Sequence, residues 1–181
     1  MKNILAFIFL TALIIISFFL LNHKEYDFSL RSEFKEQTTL KDFAGKKLIV
    51  YFGYTFCPDV CPATLALLGK ELKKIHSEKA YVLFISLDPL RDGDIEKTNE
   101  WLRYFYPQSA ALIAHNEEEL EKITKKYNVS YQKINLKDSA MSYSIAHSNE
   151  LYLFDEKGKF VKSINDLNPE ELYNELKSFL K

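Results

Sequence analysis

The feature that most constrains the fold is a pair of continuous apolar runs separated by an amphipathic segment. LIVYF at 48–52 and YVLFISL at 81–87 contain no charged residue and are rich in β-branched and aromatic side chains. Such runs are typical of strands that are buried on both faces. Between them, apolar residues recur at the spacing of a helix, at Leu65, Leu68, Leu72 and Ile75.

The rest of the chain continues this alternation of strands and helices. Further helices are predicted over 94–106, over 117–127 and from Asn168 onward. A hairpin of two strands is predicted over 150–155 and 159–164. Asn116 and Asn168 are the predicted caps of two of these helices. The order strand, helix, strand, helix, strand, helix, hairpin, helix predicts an α/β fold, with helices on both faces of a central β-sheet.

Length and charge limit the possible functions. The 181 residues are enough for one ordinary domain and a short extra segment. A net charge of −1 gives no broad basic field, so we expect no nucleic-acid partner.

The extra segment is N-terminal. Residues 4–21 are 18 residues long with Thr11 and Ser17 as the only polar members, and as a helix they reach about 27 Å, close to a bilayer core of about 30 Å. A transmembrane anchor over 1–21 is therefore predicted, followed by a linker at 22–40 and a globular domain at 41–181. A cleaved signal peptide is the alternative, although the run lacks small residues before a cleavage point. Lysines flank both sides, so the charge pattern leaves the orientation open.

Both cysteines of the chain, Cys57 and Cys61, lie in the segment YFGYTFCPDVCP at 51–62. Because proline is tolerated only in the first turn of a helix, Pro58 and Pro62 place a helix start around 58–62. An i, i+4 pair there shares one helix face, with Cα atoms about 6 Å apart, which suits a disulfide, a redox couple or a soft metal ion. The helix N-terminus stabilises thiolates, so we expect both thiols to be exposed and acidic.

Neighbouring residues carry weaker expectations. Gly53 is expected to turn the backbone after the first strand. Phe56 is expected to pack in the core rather than to serve as a docking group. In SLDPLRD at 86–92, Asp88 and Pro89 are expected to shape a turn with a structural role.

A third metal ligand has to come from another part of the chain. His23, His76 and His115 are expected to be ordinary surface residues. His147 stands in SIAHSNELYLF at the beginning of a predicted strand, and from its position alone it is expected to be structural.

Three motifs in order resemble the Sco/SenC family of membrane-anchored, thioredoxin-like copper proteins. They are DFAGKKLIVYFGYTFCPDVCP at 42–62, SLDPLRD at 86–92 and AHSNELYLFDEKGKF at 146–160. The resemblance spans about residues 40–165, and CPDVCP after a buried strand and FGYT is its most specific part.

The resemblance implies copper as the bound metal, Cu(I) or Cu(II), with Cys57, Cys61 and His147 as its ligands. It implies a metallochaperone, rather than an enzyme, for the copper centre of cytochrome c oxidase subunit II. The implied partners are that subunit or another copper donor or acceptor protein. The implied location is a bacterial inner membrane, with the soluble domain facing the periplasm. The family usually has Asp before the histidine, and Ala146 stands here, which leaves affinity and oxidation state open.

Two alternatives use the same cysteines. A thiol–disulfide oxidoreductase would reduce the cysteines of the oxidase copper site, although such enzymes resemble one another in C-x-x-C and a cis-proline, and this chain has C-x-x-x-C and no proline between Pro107 and Pro169. Peroxide-reducing relatives resemble one another in a Thr three residues before the reactive Cys, where this chain has Tyr54. Copper binding is the favoured prediction.

Overall fold

The structure, a computed structural model, describes residues 26–137 and 139–181, together with Thr11. The strands in this part of the chain are β1 (Lys47–Gly53), β2 (Ala80–Ser86), β3 (Ser109–Leu112), β4 (Tyr131–Asn135), β5 (Tyr143–His147), β6 (Leu151–Phe154) and β7 (Phe160–Ile164). The α-helices are α1 (Val60–Ile75), α2 (Ile95–Phe105), α3 (Glu117–Tyr127) and α4 (Pro169–Leu180), and a 3-10 helix spans Leu40–Phe43.

Five strands form one mixed sheet in the order β3-β2-β1-β6-β7. β1 pairs in parallel with β2 and antiparallel with β6, so that Val50 has Leu83 on one side and Tyr152 on the other. β2 and β3 are parallel, whereas β6 and β7 form the predicted antiparallel hairpin. β1 is central, and all its residues after Lys47 are buried, which explains why its sequence is a continuous apolar run.

Helices cover both faces of this sheet, as predicted. Tyr51 and Phe52 are adjacent in β1 and point to opposite faces. The Phe52 ring packs against Tyr127 of α3, with centroids 5.0 Å apart. On the other face, Phe84 lies beside Tyr51 and packs against Trp101 of α2. α1 packs against both α2 and α4, so these three helices share the Tyr51 face and α3 covers the opposite one.

Residues 26–40 belong to the predicted linker, and the buried residues among them pack against the domain, whereas 33–37 are exposed. Phe28 and Leu30 are part of the hydrophobic core, and the Leu30 backbone pairs with Thr38. The domain boundary at residue 40 stays a prediction. The predicted anchor at 1–21 lies outside the described residues apart from Thr11, and no described helix is long and apolar enough to cross a membrane.

The sequence did not predict the two-stranded ribbon formed by β4 and β5. These strands pair antiparallel, from Tyr131 opposite His147 to Asn135 opposite Tyr143, and they stand apart from the central sheet. Four of the five β4 residues are exposed, so the ribbon lacks the apolar pattern by which a buried strand is recognised.

Candidate metal centre

The cysteine loop follows the carboxyl end of β1. The Cys57 N–H donates to the Tyr54 carbonyl at 3.2 Å, which closes a turn. α1 then begins at Val60, so Cys57 precedes the helix and Cys61 lies in its first turn, as the prolines predicted. The Cys61 N–H donates to the Cys57 sulfur over 3.4 Å. Both thiols are free.

Gly53 gives the Cys61 thiol its space. A Cβ atom at this position would lie 3.1 Å from the Cys61 sulfur, 2.9 Å from the Phe84 ring and 3.1 Å from the Tyr51 ring. Gly53 is the last residue of β1, and its φ is not positive. The expectation that Gly53 turns the backbone was therefore wrong. Because glycine has no side chain, the Cys61 sulfur and the Phe84 and Tyr51 rings can approach the β1 backbone closely at this position.

His147 reaches the cysteines from the ribbon. Its Nε2 lies 3.3 Å from the Cys61 sulfur, and its Nδ1 lies 2.9 Å from the Ser148 carbonyl oxygen. Because a carbonyl only accepts, Nδ1 carries the proton in this contact and Nε2 is left with its lone pair towards Cys61. His147 ends β5 rather than beginning a strand, and β6 starts at Leu151.

The two thiols have different acidities. Burial raises the pKa of Cys57, but hydrogen bonds from the backbone N–H groups of Cys61 and Asp59 and from the side chains of Cys61 and Tyr54 together outweigh it, so that the Cys57 pKa is lowered. Cys61 is fully buried, and burial raises its pKa to about 12. Burial also lowers the pKa of His147, which keeps the imidazole neutral. The expectation of an exposed, acidic thiol is therefore wrong for Cys61. Cys57 has the lowered pKa but is half-buried rather than exposed.

Aromatic residues enclose the imidazole. The rings of Tyr51 and Tyr54 lie 6.3 and 6.2 Å from the His147 ring, both edge-on. The Tyr54 hydroxyl oxygen accepts a hydrogen bond from the Ile145 N–H over 3.1 Å, and the hydroxyl lies near enough to Cys57 to lower the pKa of that thiol. The Tyr51 hydroxyl is buried without a hydrogen-bond partner among the described residues, although it lies near enough to Cys61 for that thiol to affect its pKa.

The donor set suits a soft metal ion. Two sulfurs and one imidazole nitrogen are ligands that copper accepts, whereas structural zinc takes four protein ligands. Metal–sulfur and metal–imidazole bonds are about 2.3 and 2.0 Å long. Cys61 Sγ and His147 Nε2 are 3.3 Å apart, so one ion can bind both atoms. Within the ranges described, no three His, Cys, Asp or Glu side chains already enclose a metal position.

The 86–92 loop contains the expected turn at 89–91 and contacts the cysteine loop. Asp92 is buried, and its carboxylate accepts hydrogen bonds from the Thr55 N–H and from the Ser86 hydroxyl, the latter at 2.6 Å. This carboxylate thereby fixes the start of the cysteine loop. Phe56 was expected to pack in the core, and this was wrong, because its side chain is 52 % exposed. It lies under the Arg91 guanidinium instead, 5.2 Å from ring centroid to Cζ.

The other described histidines, His76 and His115, lie away from this centre. His76 ends α1, and His115 pairs with Glu36 and Glu119 at the surface. His23 is outside the described residues. Sequence reasoning did not single out Arg91, and its place in the quoted SLDPLRD motif was the only signal for it.

Comparisons of the sequence and of the fold with known proteins find relatives from one family. Residues 21–181 match the SCO1/SenC family. The SCO2-like protein of Rickettsia felis is 33 % identical over 154 residues, covering 83 % of this chain and 74 % of that protein. Arabidopsis thaliana ScoI with copper bound has a TM-score of 0.76 at 31 % identity, covering 84 % of this chain and 95 % of that one. Bradyrhizobium japonicum ScoI with copper bound has a TM-score of 0.70 at 34 % identity, covering 85 % and 98 %.

The fold and the sequence agree in this comparison. The central mixed sheet with helices on both faces is the thioredoxin-like α/β fold expected from the resemblance, and it matches the Sco structures. The family match covers the cysteine loop, the 86–92 loop and the ribbon. The chain therefore belongs to the SCO1/SenC family.

Proposed function

We propose that the protein binds copper through Cys57, Cys61 and His147 and delivers it for assembly of the copper centre of cytochrome c oxidase. The observation that carries the proposal is the contact of His147 Nε2 with the Cys61 sulfur at 3.3 Å. These two residues are 86 positions apart in the chain, and their contact turns a cysteine pair into a three-donor set. Two homologous structures contain copper, which supports the choice of metal.

Copper is the cargo in this proposal, and the site is arranged to release it. Three protein donors leave room for a donor from another protein, which closed four-ligand sites do not. Cys57 is half-buried at the start of the helix, so it is the donor that an incoming thiolate can reach first. His147 is held by Ser148 in the tautomer that presents Nε2.

Membership in the family supports a proposal for the partner and the location. We propose subunit II of cytochrome c oxidase, or another copper donor or acceptor protein, as the partner. Residues 1–21, with the apolar run at 4–21, are proposed as a single transmembrane anchor in a bacterial inner membrane, with residues 41–181 as the globular domain in the periplasm. An apolar run of this length suits a bilayer core.

The experiment is a copper-retention assay on the full chain in detergent. The reduced protein is loaded with Cu(I) anaerobically and challenged with a competing Cu(I) chelator. We expect one copper per chain to be retained, and to be lost in Cys57→Ser and Cys61→Ser. His147→Gln is expected to weaken retention strongly while leaving the unfolding midpoint in urea unchanged. Retention by all three variants as strong as in the wild type would contradict the proposed ligands.

A thiol reductase is the second candidate, and the unequal thiols favour it. The Cys57 thiolate would attack a disulfide of the oxidase copper site and form a mixed disulfide, releasing one target thiolate. Cys61, once deprotonated, would attack the Cys57 sulfur, releasing the second thiolate and leaving a Cys57–Cys61 disulfide. The target gains two electrons, the chain loses two, and an external dithiol protein must reduce it again.

One measurement separates the two functions. A reductase needs both cysteines but no metal ion, so the wild type would reduce a disulfide peptide at the same rate with and without an excess of Cu(I) chelator. A chain that retains no copper yet shows this activity would establish the second candidate. Copper retention that depends on His147 would favour the carrier.

A further inference from the structure

Arg91 contacts both parts of the candidate metal centre. Its guanidinium lies 5.2 Å from the ring of Phe56, which directly precedes Cys57. It lies 3.4 Å from the ring of Tyr143 at the start of β5. Both terminal nitrogens donate to the Tyr143 carbonyl at 3.1 Å, and one also donates to the Met141 carbonyl. One side chain thus joins the cysteine loop to the strand that ends in His147.

Asp88 strengthens this junction from the same loop. The Tyr143 hydroxyl donates to its carboxylate oxygens at 2.8 and 3.0 Å, and the carboxylate also pairs with Arg91 Nε at 3.6 Å. Asp88 is buried and Arg91 is only 15 % exposed. Hydrogen bonds between charged groups that are shielded from water are stronger and more directional than surface pairs.

The Tyr54 hydroxyl holds the same strand two residues further on. It accepts the Ile145 N–H at 3.1 Å, and Tyr54 itself is buried three residues before Cys57. The described part of β5 pairs only with β4, and neither strand joins the central sheet. Side-chain contacts therefore supply the attachment that sheet hydrogen bonds supply elsewhere.

We propose that Arg91 and the Tyr54 hydroxyl are positioning residues that hold the β5 strand against the cysteine loop and so set how firmly His147 binds copper. The inference rests on the proposed function. Neither side chain is a ligand. Both contact the strand that carries His147, and the Tyr54 hydroxyl also lies within reach of the Cys57 thiol. Groups that orient a metal ligand typically contribute about 10–100-fold in metal affinity.

The test is a pair of double-mutant cycles on the full chain. Tyr54→Phe removes one hydroxyl and keeps the ring, and Arg91→Lys keeps the charge and loses the planar fork. Each variant is expected to weaken Cu(I) affinity, measured by chelator competition, by about tenfold or more. In a His147→Gln background Arg91→Lys is expected to change affinity by no more than about twofold, because the residue through which it acts is gone. Tyr54→Phe is expected to cost clearly less there than in the wild type, with a remainder from its contact with Cys57.

Matched control variants are available away from the site. Tyr81→Phe removes a hydroxyl that donates to the Ser109 carbonyl between β2 and β3. Arg103→Lys alters a partly exposed arginine on α2 that pairs with Glu33. Both controls are expected to keep wild-type copper affinity. If Tyr54→Phe lowers Cu(I) affinity equally with and without His147, its positioning role is overturned. An equal loss of affinity for Arg91→Lys in the two backgrounds would overturn the role of Arg91.

A copper-free measurement separates this inference from the proposed function. If the wild type retains no copper, the proposed function fails, but amide hydrogen exchange of residues 143–147 still reports how the strand is held. We expect this exchange to be about tenfold faster in Tyr54→Phe and Arg91→Lys than in the wild type, with unchanged exchange in β1. Unchanged exchange of the strand in both variants would overturn the positioning role.

Discussion

At the scale of single residues, the two thiols differ in acidity because Cys57 accepts hydrogen bonds at the helix start and Cys61 is buried. Cys57 receives backbone N–H groups at the helix start, which lower its pKa, whereas burial raises the pKa of Cys61 to about 12. The sequence placed both thiols at a helix N-terminus correctly. It could not show that Cys61 is buried, because burial depends on Gly53 and Tyr51 of the neighbouring strand.

This difference predicts selective alkylation. At pH 7.5 the thiolate of Cys57 is the main nucleophile, so iodoacetamide should modify it about tenfold or more faster than Cys61 in the reduced, copper-free protein. Peptide mass spectrometry over a time course measures both rates. In urea, where the helix and the burial are lost, the two rates should become similar. Equal rates in the folded protein would contradict the assigned acidities.

A second prediction at this scale concerns Gly53. A methyl group there meets the Cys61 sulfur and the Phe84 ring at 3.1 and 2.9 Å, so Gly53→Ala should destabilise the fold by about 1–3 kcal/mol through overpacking. Urea unfolding measures this loss. A free energy of unfolding equal to that of the wild type would show that the pocket around Cys61 adapts without cost.

At the scale of elements, the β4–β5 ribbon is the part of the fold that the sequence did not predict. The buried strands and the amphipathic helices follow from residue patterns, and the caps at Asn116 and Asn168 are as predicted. The ribbon is short and largely exposed, and it depends on Arg91, Asp88 and Tyr54 for its attachment. Such contacts between distant segments leave no periodic pattern in a sequence.

The ribbon should also be the less stable element. Its amide groups are shielded mainly by the pairing of β4 with β5, whereas β1 lies between two strands and is buried on both faces. We expect amides of β4 and β5 to exchange about a hundredfold or more faster than those of β1 in the copper-free protein. Hydrogen exchange with mass spectrometry makes this comparison within one sample. Equal protection of ribbon and sheet would mean that they open together.

At the scale of the whole molecule, the thioredoxin-like sheet brings distant motifs to one edge. The cysteine loop follows β1, the 86–92 loop follows β2, and both strands are parallel neighbours, so their carboxyl ends coincide. The sequence predicted this gathering of function from the strand order. His147 was predicted as a ligand only through the family resemblance, because this residue reaches the site on a ribbon outside the sheet.

The most direct test of the proposed copper site is X-ray absorption spectroscopy of the copper-loaded full chain. For the wild type we expect scattering from two sulfur ligands and one imidazole nitrogen. In His147→Gln the imidazole contribution should disappear while both sulfurs remain. A sulfur-only site in the wild type, or an imidazole signal that persists in the variant, would contradict Cys57, Cys61 and His147 as the ligand set.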